Sequence, residues 1–460
     1  MKINRFVRPA MQGIVIGGLI TAVLWLNQPI HLPYFNQLEA TAQAQSQDTE
    51  QTPTLREQPE VNSAAFKGQG KLAFISKGLL YVLDGSTSKV KQLTEFGSAL
   101  EPTWSHDGEW LAFKLITDKS AMTGPLWLVR KDGTRAHQVQ GLPGTVMTGK
   151  FDWSPASNLL AVSTEDGLWL VPTEGKPHRL IAKQGGYPTF SWSPDGKALA
   201  YNDTLPYKVY HAADDVLLTV DIKGGQPVKH LQTSGAGITL AGWQPDGKGL
   251  LYWVNPSRGA SAATDGLELW SLQLAESKSS PLTTGLPNKE WQSFSPQGQL
   301  LTVEGSDRIV WANKSIAVVD PRTGRLQHIA SPDGCVAIDP DFSPDGKNIA
   351  YVAAKNLGRD VWGFDKTDDL DAWVNSRTLY IANADGSNAR ALPTAGQGIY
   401  QPAWSKDGRH ILFIKDNALW SINIEGGNPE KIFEPVSEQK DQFGFYGFTS
   451  YQDTFSWFKG

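Results

Sequence analysis

The sequence of 460 residues is poor in cysteine, and Cys335 is the only one. An intramolecular disulfide is therefore excluded. A chain of this length with 40% hydrophobic residues can bury a large core that needs no such cross-link, so export from the cytoplasm stays compatible with the composition. Cys335 has no adjoining histidine or basic residue to lower its pKa, and we interpret it as a buried or half-buried small side chain rather than a reactive thiol.

The sequence also has no block of basic residues. Its 42 lysines and arginines are outnumbered by 47 aspartates and glutamates, which gives a formal net charge of -5. Proteins that bind nucleic acid carry clustered basic side chains that neutralise phosphates. We therefore expect no nucleic-acid partner.

Familiar catalytic motifs are missing as well. Neither the G-x-S-x-G motif of serine hydrolases nor the H-E-x-x-H motif of zinc proteases occurs in the sequence. These absences predict no catalytic residue set, no bound metal and no cofactor. A protein without enzymatic activity is the favoured interpretation.

One apolar run, residues 9–26, follows the basic residues Lys2, Arg5 and Arg8. Its 18 residues are at the lower limit for a bilayer-spanning helix. The preceding basic residues favour a cytoplasmic amino terminus by the positive-inside rule. We expect residues 1–8 in the cytoplasm, a signal anchor that forms a transmembrane helix over 9–26, and the rest of the chain in the periplasm or at the cell exterior.

Residues 27–67 are predicted to form a disordered tether, because much of this segment consists of Gln, Thr, Glu, Ser and Pro and is too polar to fold alone. Ala40, Ala42 and Ala44 offer A-x-A spacings for a signal peptidase, so a protein secreted after signal cleavage is the alternative. The folded domain is expected over residues 68–460.

Approximate copies of one segment, typified by FSWSPDGKALAY at residues 190–201, recur along most of the chain. Pro194 presets the backbone for a type I turn, and Gly196 suits the left-handed conformation that closes it. Each copy therefore predicts a tight β-hairpin. The other six copies begin at residues 102, 151, 241, 292, 340 and 402.

Each hairpin is followed by an apolar third strand, such as residues 168–171, and by a short fourth strand, such as 178–180. The motif aromatic recurs every 50 residues on average between Trp104 and Trp404. Four short antiparallel strands with this period predict a β-propeller, in which the motif aromatics form core between blades. Four histidines fall on fourth strands of different blades, too far apart to share a metal: His137, His178, His230 and His328.

The two ends of the repeat region indicate the blade count. Residues 71–93 supply a second, third and fourth strand with no first strand before them, and residues 454–457 repeat the Phe-Ser-Trp of the motif. We infer that this last strand pairs with Leu72 to Phe74, completes the first blade and leaves no unpaired inner edge. The prediction is an all-β propeller of eight four-stranded blades, and seven blades is the alternative.

The SPDG hairpins, apolar third strands and Asp-Gly turns over about residues 70–460 resemble the WD40-like PD40 repeats of the TolB family and of the propeller domains of prolyl oligopeptidase relatives. The complete copies carry the resemblance: 188–201, 340–351 and 402–413. It implies a propeller fold and is not specific for function. The sequence has a tether where TolB has a folded α/β domain, so the resemblance does not extend to TolB's partner.

In the predicted topology, the connections between strands lie on two opposite faces of the propeller. First-to-second and third-to-fourth turns lie on one face, which we call the turn face. The other connections lie on the opposite face, here the insertion face, where irregular loops on a rigid scaffold favour binding. The irregular insertions all fall there: residues 115–124, 202–214, 255–265, 304–313 and 355–377.

The longest insertion, residues 355–377, combines carboxylates with large aromatic side chains, and we call it the acidic insertion. A solvated loop or short helix is its plainest interpretation, a partner-binding surface is the functional one, and its spacing does not match a calcium-binding EF-hand. The candidate binding residues there are Asp360, Trp362, Asp365, Asp368, Asp369, Asp371 and Trp373. Residues 202–214 add Tyr207, Tyr210 and His211.

The repeat, the apolar amino-terminal run and the missing catalytic motifs favour one function. We expect a membrane-anchored propeller outside the cytoplasm that binds an envelope protein or a peptide. The alternative is an enzyme, a hydrolase or lyase, with its site in the central channel. That alternative predicts polar and charged side chains that converge at the channel mouth.

Overall fold

The computed structural model describes the chain from residue 59 onward with gaps, over residues 59–118, 121, 124–143, 146, 150–183, 185, 188–205, 213–259, 265–359, 367–434, 436 and 454–460. They form an all-β propeller of eight four-stranded antiparallel blades. The predicted membrane segment 9–26 lies outside the described residues. Within them, no helix combines the length and the apolar character needed to cross a bilayer.

The first strand of each blade lies innermost, because these strands contact one another from blade to blade around the central channel. The inner strands are β4 (Ser98–Trp104), β8 (Phe151–Trp153), β12 (Phe190–Trp192), β16 (Gly237–Trp243), β20 (Gln292–Phe294), β24 (Cys335–Phe342), β28 (Tyr400–Trp404) and β32 (Phe455–Phe458). The second strands are β1 (Lys71–Ser76), β5 (Trp110–Ile116), β9 (Leu159–Thr164), β13 (Ala198–Thr204), β17 (Gly249–Asn255), β21 (Leu300–Glu304), β25 (Asn348–Lys355) and β29 (His410–Lys415).

The two outer positions of each blade complete the sheets. The third strands are β2 (Leu79–Asp84), β6 (Leu126–Arg130), β10 (Gly167–Pro172), β14 (Asp215–Asp221), β18 (Leu267–Gln273), β22 (Ser315–Val319), β26 (Thr378–Asn383) and β30 (Ala418–Asn423). The fourth strands are β3 (Lys89–Gln92), β7 (His137–Gln138), β11 (His178–Ala182), β15 (Val228–Gln232), β19 (Lys278–Gly285), β23 (Leu326–Ile329), β27 (Arg390–Ala391) and β31 (Glu430–Phe433). Helix α1 (Thr367–Val374) and two 3-10 turns, Lys289–Trp291 and Pro393–Ala395, complete the described elements.

The ring closes as the sequence predicts. β32 pairs antiparallel with β1, with Leu72 opposite Trp457 and Phe74 opposite Phe455. Blade 1 therefore consists of β32, β1, β2 and β3, and blades 2 to 8 follow in chain order. The eight-blade prediction is confirmed, and the seven-blade alternative is wrong.

The propeller begins earlier in the chain than the predicted boundary at residue 68. Val61 forms an isolated bridge with Phe433 of the outer strand of blade 8, and the backbone N–H of Asn62 donates to the carbonyl of Ile432 at 2.8 Å. Phe66 is 0% exposed and belongs to the apolar cluster between blades 8 and 1. Residues 61–66 are thus part of the folded body, because their apolar side chains have a place in that cluster.

The SPDG segments form the predicted turns. The Ser193 hydroxyl donates to the Asp195 carboxylate at 2.7 Å, and the same carboxylate accepts the backbone N–H of Lys197 at 3.1 Å. Gly196 has a φ of 68°, which only glycine adopts without strain. These hydrogen bonds lower the pKa of Asp195, the Ser193 bond foremost. The motif aspartate is therefore a turn residue.

The motif tryptophans join neighbouring blades. The indole N–H of Trp192 donates to the carbonyl of Asp152 at 3.0 Å, and that of Trp243 donates to the carbonyl of Ser191 at 3.0 Å. In each case the acceptor immediately precedes the motif tryptophan of the previous blade. Trp104 makes the equivalent bond to β32 across the closure, at 3.0 Å. Apolar clusters fill the spaces between successive blades, so the motif is architectural.

Candidate functional site

The structure describes only part of the predicted binding surface on the insertion face. Asp369 and Asp371 lie on α1 and are exposed. Asp368 also lies on α1, but its side chain is outside the described set. Six further candidates fall outside the described residues: Asp360, Trp362, Asp365, Tyr207, Tyr210 and His211. The described acidic insertion therefore presents a short helix with two solvated carboxylates.

Trp373, predicted as an aromatic anchor for a partner, lies in the interior instead. Its side chain is 2% exposed, its indole N–H donates to the carbonyl of Lys355 at 2.9 Å, and its ring meets Trp311 edge-on with centroids 6.0 Å apart. A side chain so enclosed has no surface left for a partner. Trp373 instead fixes the end of α1 to the strand that begins the insertion.

A buried ion pair lies directly below the insertion. The Arg377 guanidinium donates to Asp339 at 2.6 Å and to the carbonyl of Ile399 at 2.8 Å, and it stacks over the ring of Tyr400 at 4.0 Å. The indole N–H of Trp291 donates to the other oxygen of Asp339 at 2.8 Å. Burial raises the pKa of Tyr400 to about 12. The base of the acidic insertion is thus a dry network contributed by three blades.

The sequence contains a signal for this network that hairpin patterns do not reveal. At three inner strands, a residue with left-handed backbone precedes a proline and interrupts the strand register: Glu101 (φ 53°), Asp339 (φ 50°) and Gln401 (φ 45°). A β-bulge re-aims a side chain. Glu101, like Asp339, forms a buried ion pair, in its case with Lys114 at 3.0 Å.

A second candidate site lies in the central channel between blades 3 and 6. It is a cavity of about 370 Å³, within the range of small ligand sites. Its walls come from the inner strands, and its polar lining includes Asp152, Ser191, Lys289 and Gln292. Lys289 starts the 3-10 turn on the insertion face, so the cavity contains both a carboxylate and an ammonium group.

The charged groups of this cavity have perturbed pKa values. Asp152 and Lys289 are solvent-exposed on the wall of this open cavity, and the neighbouring channel walls remove part of their hydration. Burial raises the pKa of Asp152 to about 6, against the opposing effect of Lys289. Burial also lowers the pKa of Lys289, against the effect of Asp152. Lys150 precedes β8, is 5% exposed and lies outside the cavity lining; burial and the positive charge of Lys289 lower its pKa to about 8.

Asp341 occupies the same repeat position in blade 7 as Asp152 does in blade 3, and it shows what a structural carboxylate looks like here. It accepts the Ser293 hydroxyl at 2.8 Å and the backbone N–H of Trp404 at 3.0 Å. Burial raises its pKa, and Lys459 opposes that rise. Asp341 joins three blades through these hydrogen bonds, whereas Asp152 faces a cavity. Of the two carboxylates, Asp152 is therefore the one that is available to a ligand.

The prediction that no metal is bound remains an expectation. Among the residues that the structure describes, no three or more His, Cys, Asp and Glu side chains are grouped to hold a metal ion. His137, His178, His230 and His328 lie on fourth strands of four blades, as the repeat predicts. These four histidines therefore do not converge on the channel.

No family model matches the sequence. Three curated proteins are similar to it, two of them over more than half of this chain. Dipeptidyl-peptidase 5 of Porphyromonas gingivalis is 26% identical over 286 residues, which cover 56% of this chain and 35% of that protein. An uncharacterized protein of Agrobacterium fabrum is 24% identical over 272 residues, which cover 57% of this chain and 83% of that protein. The match thus spans about a third of the length of the peptidase.

Many solved structures share the fold, and two of them are given as examples. Dipeptidyl peptidase 4 of Porphyromonas gingivalis superposes with a TM-score of 0.57 at 12% identity, over 83% of this chain and 60% of that chain. A eukaryotic initiation factor gives a TM-score of 0.52 at 14% identity, over 82% and 89% of the two chains. TolB from Acinetobacter baumannii gives 0.32. The propeller fold implied by the resemblance is confirmed, and membership of the TolB-like family stays a prediction.

Proposed function

We propose that this chain is a membrane-anchored, extracytoplasmic propeller that binds an envelope protein or peptide through its insertion face. The proposal rests on the way in which the acidic insertion is attached to the blades. α1 exposes Asp369 and Asp371, while Trp373 and Arg377 fix its far end into dry contacts with the blades. A charged surface on a rigid base loses little conformational entropy when it binds.

The chemistry of the exposed helix indicates the partner. Two solvated aspartates on one turn of helix favour a basic segment, because complementary charges steer association and suppress wrong partners. Trp373 is used internally, so among the described residues of the insertion the exposed charges of α1 are the groups available for recognition. The similarity to a dipeptidyl-peptidase over 56% of this chain supports a peptide or an extended protein segment as the ligand.

Reversal of the two helix charges is expected to abolish most partner binding. A photo-crosslinking residue at position 369 in intact cells should capture a partner that mass spectrometry can identify. The variant Asp369→Lys with Asp371→Lys should then bind that purified partner about tenfold more weakly at low salt, with a smaller difference at high salt.

The matched control reverses two exposed carboxylates on the turn face. Glu276→Lys with Glu425→Lys changes the net charge equally, far from α1, and should leave the affinity unchanged. Equal loss in both variants would show a nonspecific charge effect and would count against the insertion face.

A second function, a hydrolase or lyase in the channel, is favoured by Asp152 alone. A carboxyl group with a pKa near 6 on the wall of the channel cavity can donate or accept a proton near neutral pH. We expect a channel enzyme that cleaves dipeptidyl-coumarin substrates to lose at least about a hundredfold in kcat on Asp152→Asn. If neither the wild-type protein nor the variant hydrolyses any dipeptidyl-coumarin substrate faster than the uncatalysed reaction, that function is excluded for these substrates.

A further inference from the structure

Asp333 differs in its surroundings from the aspartates of the blade turns, although the local sequence is the same. Residues 331–334 read Ser-Pro-Asp-Gly, as the motif turns at 193–196 and 343–346 do. This copy lacks the preceding aromatic residue and lies in the connection between β23 and β24, on the insertion face. Asp333 and Gly334 are both exposed. This Asp-Gly pair is therefore not part of a blade hairpin.

The motif turns hold their aspartates by hydrogen bonds on both sides of the Asp-Gly bond. The Ser343 hydroxyl donates to the Asp345 carboxylate at 2.7 Å, and the backbone N–H of Lys347 donates to it at 3.0 Å. The backbone N–H of Gly346 donates to the carbonyl of Ser343 at 2.8 Å. The carboxylate and the following backbone nitrogen are thus held by separate partners.

Asp333 lies in a turn that is displaced by one residue along the same sequence. The backbone N–H of Cys335 donates to the carbonyl of Pro332 at 3.0 Å, so Asp333 and Gly334 occupy the two central positions of the turn. The N–H group that holds the aspartate in a motif turn is therefore committed to the main chain here. Gly334 has a φ of 70°, and a Cβ at this position would have no atom within 4 Å.

Neither the Asp333 carboxylate nor the Gly334 nitrogen has a hydrogen-bond partner in the part of the chain that the structure describes. In every other Asp-Gly pair of that part, the carboxylate accepts a hydrogen bond from a side chain or a backbone N–H, as it does at Asp84, Asp132, Asp166, Asp246 and Asp385. Asp333 is the exception among them.

An aspartate followed by glycine can convert to isoaspartate with water as the only reagent. The glycine nitrogen attacks the side-chain carbon of the protonated carboxyl group. A nitrogen–carbon bond forms, the carboxyl C–OH bond breaks, and the hydroxyl leaves as water with the amide proton, which gives a five-membered succinimide. Water then opens the ring at the former main-chain carbonyl, so the chain continues through the side chain. Glycine favours the ring closure because it has no Cβ to hinder the approach.

We propose that Asp333 is a site of spontaneous isoaspartate formation, and that the hydrogen-bonded Asp-Gly turns of the blades are protected from it. The reaction requires the carboxyl carbon and the following nitrogen to come into contact. At Asp345 the hydrogen bonds of both groups must break first, whereas at Asp333 neither group is held. The bonds also lower the pKa of Asp345, the Ser343 bond foremost, so the protonated, reactive form of this carboxyl group is rarer.

The modification changes the base of the acidic insertion. Isoaspartate adds one atom to the main chain directly before β24. The Gly334 carbonyl accepts the backbone N–H of Asn356, the second residue of the insertion, at 2.9 Å. The longer main chain displaces this carbonyl and weakens the bond. Modified molecules therefore differ from unmodified ones at the point where the insertion leaves β25.

Incubation of the whole protein at physiological temperature and pH tests the site. Trypsin releases residues 326–347, which contain both Asp333 and Asp345 in one peptide. Electron-transfer dissociation mass spectrometry then locates isoaspartate at each position. In the native protein, Asp333 should isomerise at least about tenfold faster than Asp345, because the bonds that hold the Asp345 carboxylate add to its barrier. A synthetic peptide of residues 326–347 has no propeller to hold it and should isomerise at both positions at similar rates.

Two variants separate the contributions of sequence and structure. Asp333→Glu keeps the charge and should give no isomerised residue at this position, because its longer side chain closes a ring far less readily. Ser343→Ala removes one bond that holds Asp345 and should raise the rate there, and thermal unfolding confirms that this variant is folded.

Three results overturn the inference. They are equal rates at Asp333 and Asp345 in the native protein, the same difference between the two positions in the synthetic peptide, and an unchanged rate at Asp345 in folded Ser343→Ala.

Discussion

Removal of residues 454–460 is expected to lower the free energy of unfolding by several kcal/mol and to convert a monomer into aggregates. The deletion takes away β32, whose Phe455 and Trp457 pack on the cluster between blades 8 and 1. Loss of one large aromatic side chain from a core costs about 3–5 kcal/mol, somewhat less where it is half-buried. The deletion also leaves β1 with an unpaired edge in the middle of the ring, and such edges template association.

Guanidinium unfolding and light scattering measure the two effects. A chain that lacks only Gly460 keeps all of β32 and serves as the control. Addition of a synthetic peptide with the sequence of residues 454–460 should partly restore the monomer, because the vacated edge accepts the same strand. A truncated protein that stays monomeric, with an unchanged unfolding midpoint, would refute main-chain closure as the source of the stability.

Replacement of Arg377 by methionine is expected to cost about 3–5 kcal/mol of stability, because it leaves the Asp339 carboxylate buried without its counter-charge. The two side chains are 2% and 9% exposed, so solvent cannot take over the role of the arginine. The same change should weaken partner binding, since α1 loses the contact that fixes its base. Guanidinium unfolding of the purified variant measures the first effect.

Two further variants make this prediction specific. Arg359→Met breaks an exposed pair with Asp307, in which the arginine is 66% exposed, and should cost less than about 1 kcal/mol. The double variant Arg377→Met with Asp339→Asn removes both buried charges, keeps a side chain that tolerates the left-handed backbone at position 339, and should recover much of the loss. If Arg377→Met and Arg359→Met cost the same, the network is not the rigid base that we describe.

The sequence predicts the parts of this fold that depend on local chemistry or on repetition. The turn at Pro194 and Gly196 is specified within a few residues, and its recurrence determines the blades. Trp457 reveals the closure because it repeats a pattern found seven times elsewhere. The repeat therefore makes a contact between two distant residues, Trp457 and Leu72, predictable from the sequence alone.

The candidate sites depend on contacts that do not repeat, and here the sequence is less informative. Trp373 stands among aspartates in an irregular insertion, and only the position of Trp311 and Lys355 shows that it is buried. Lys289 lies in a connection without a recurring pattern. Its electrostatic effect on Lys150 and Asp152, three blades away in the ring, arises only in the assembled propeller, which no local motif encodes.

The pairing of β32 with β1 cannot form until synthesis of the chain is almost complete. Leu72 leaves the ribosome long before its partner Trp457, and at about 5–20 residues per second the interval is roughly 20–80 s. During that interval β1 has an unpaired edge. Phe66 also lacks its later packing partners, which are Trp457 and the apolar side chains of β31. The nascent chain therefore needs protection from association with other chains until the ring can close. Chaperones are needed before synthesis of the chain is complete rather than after it.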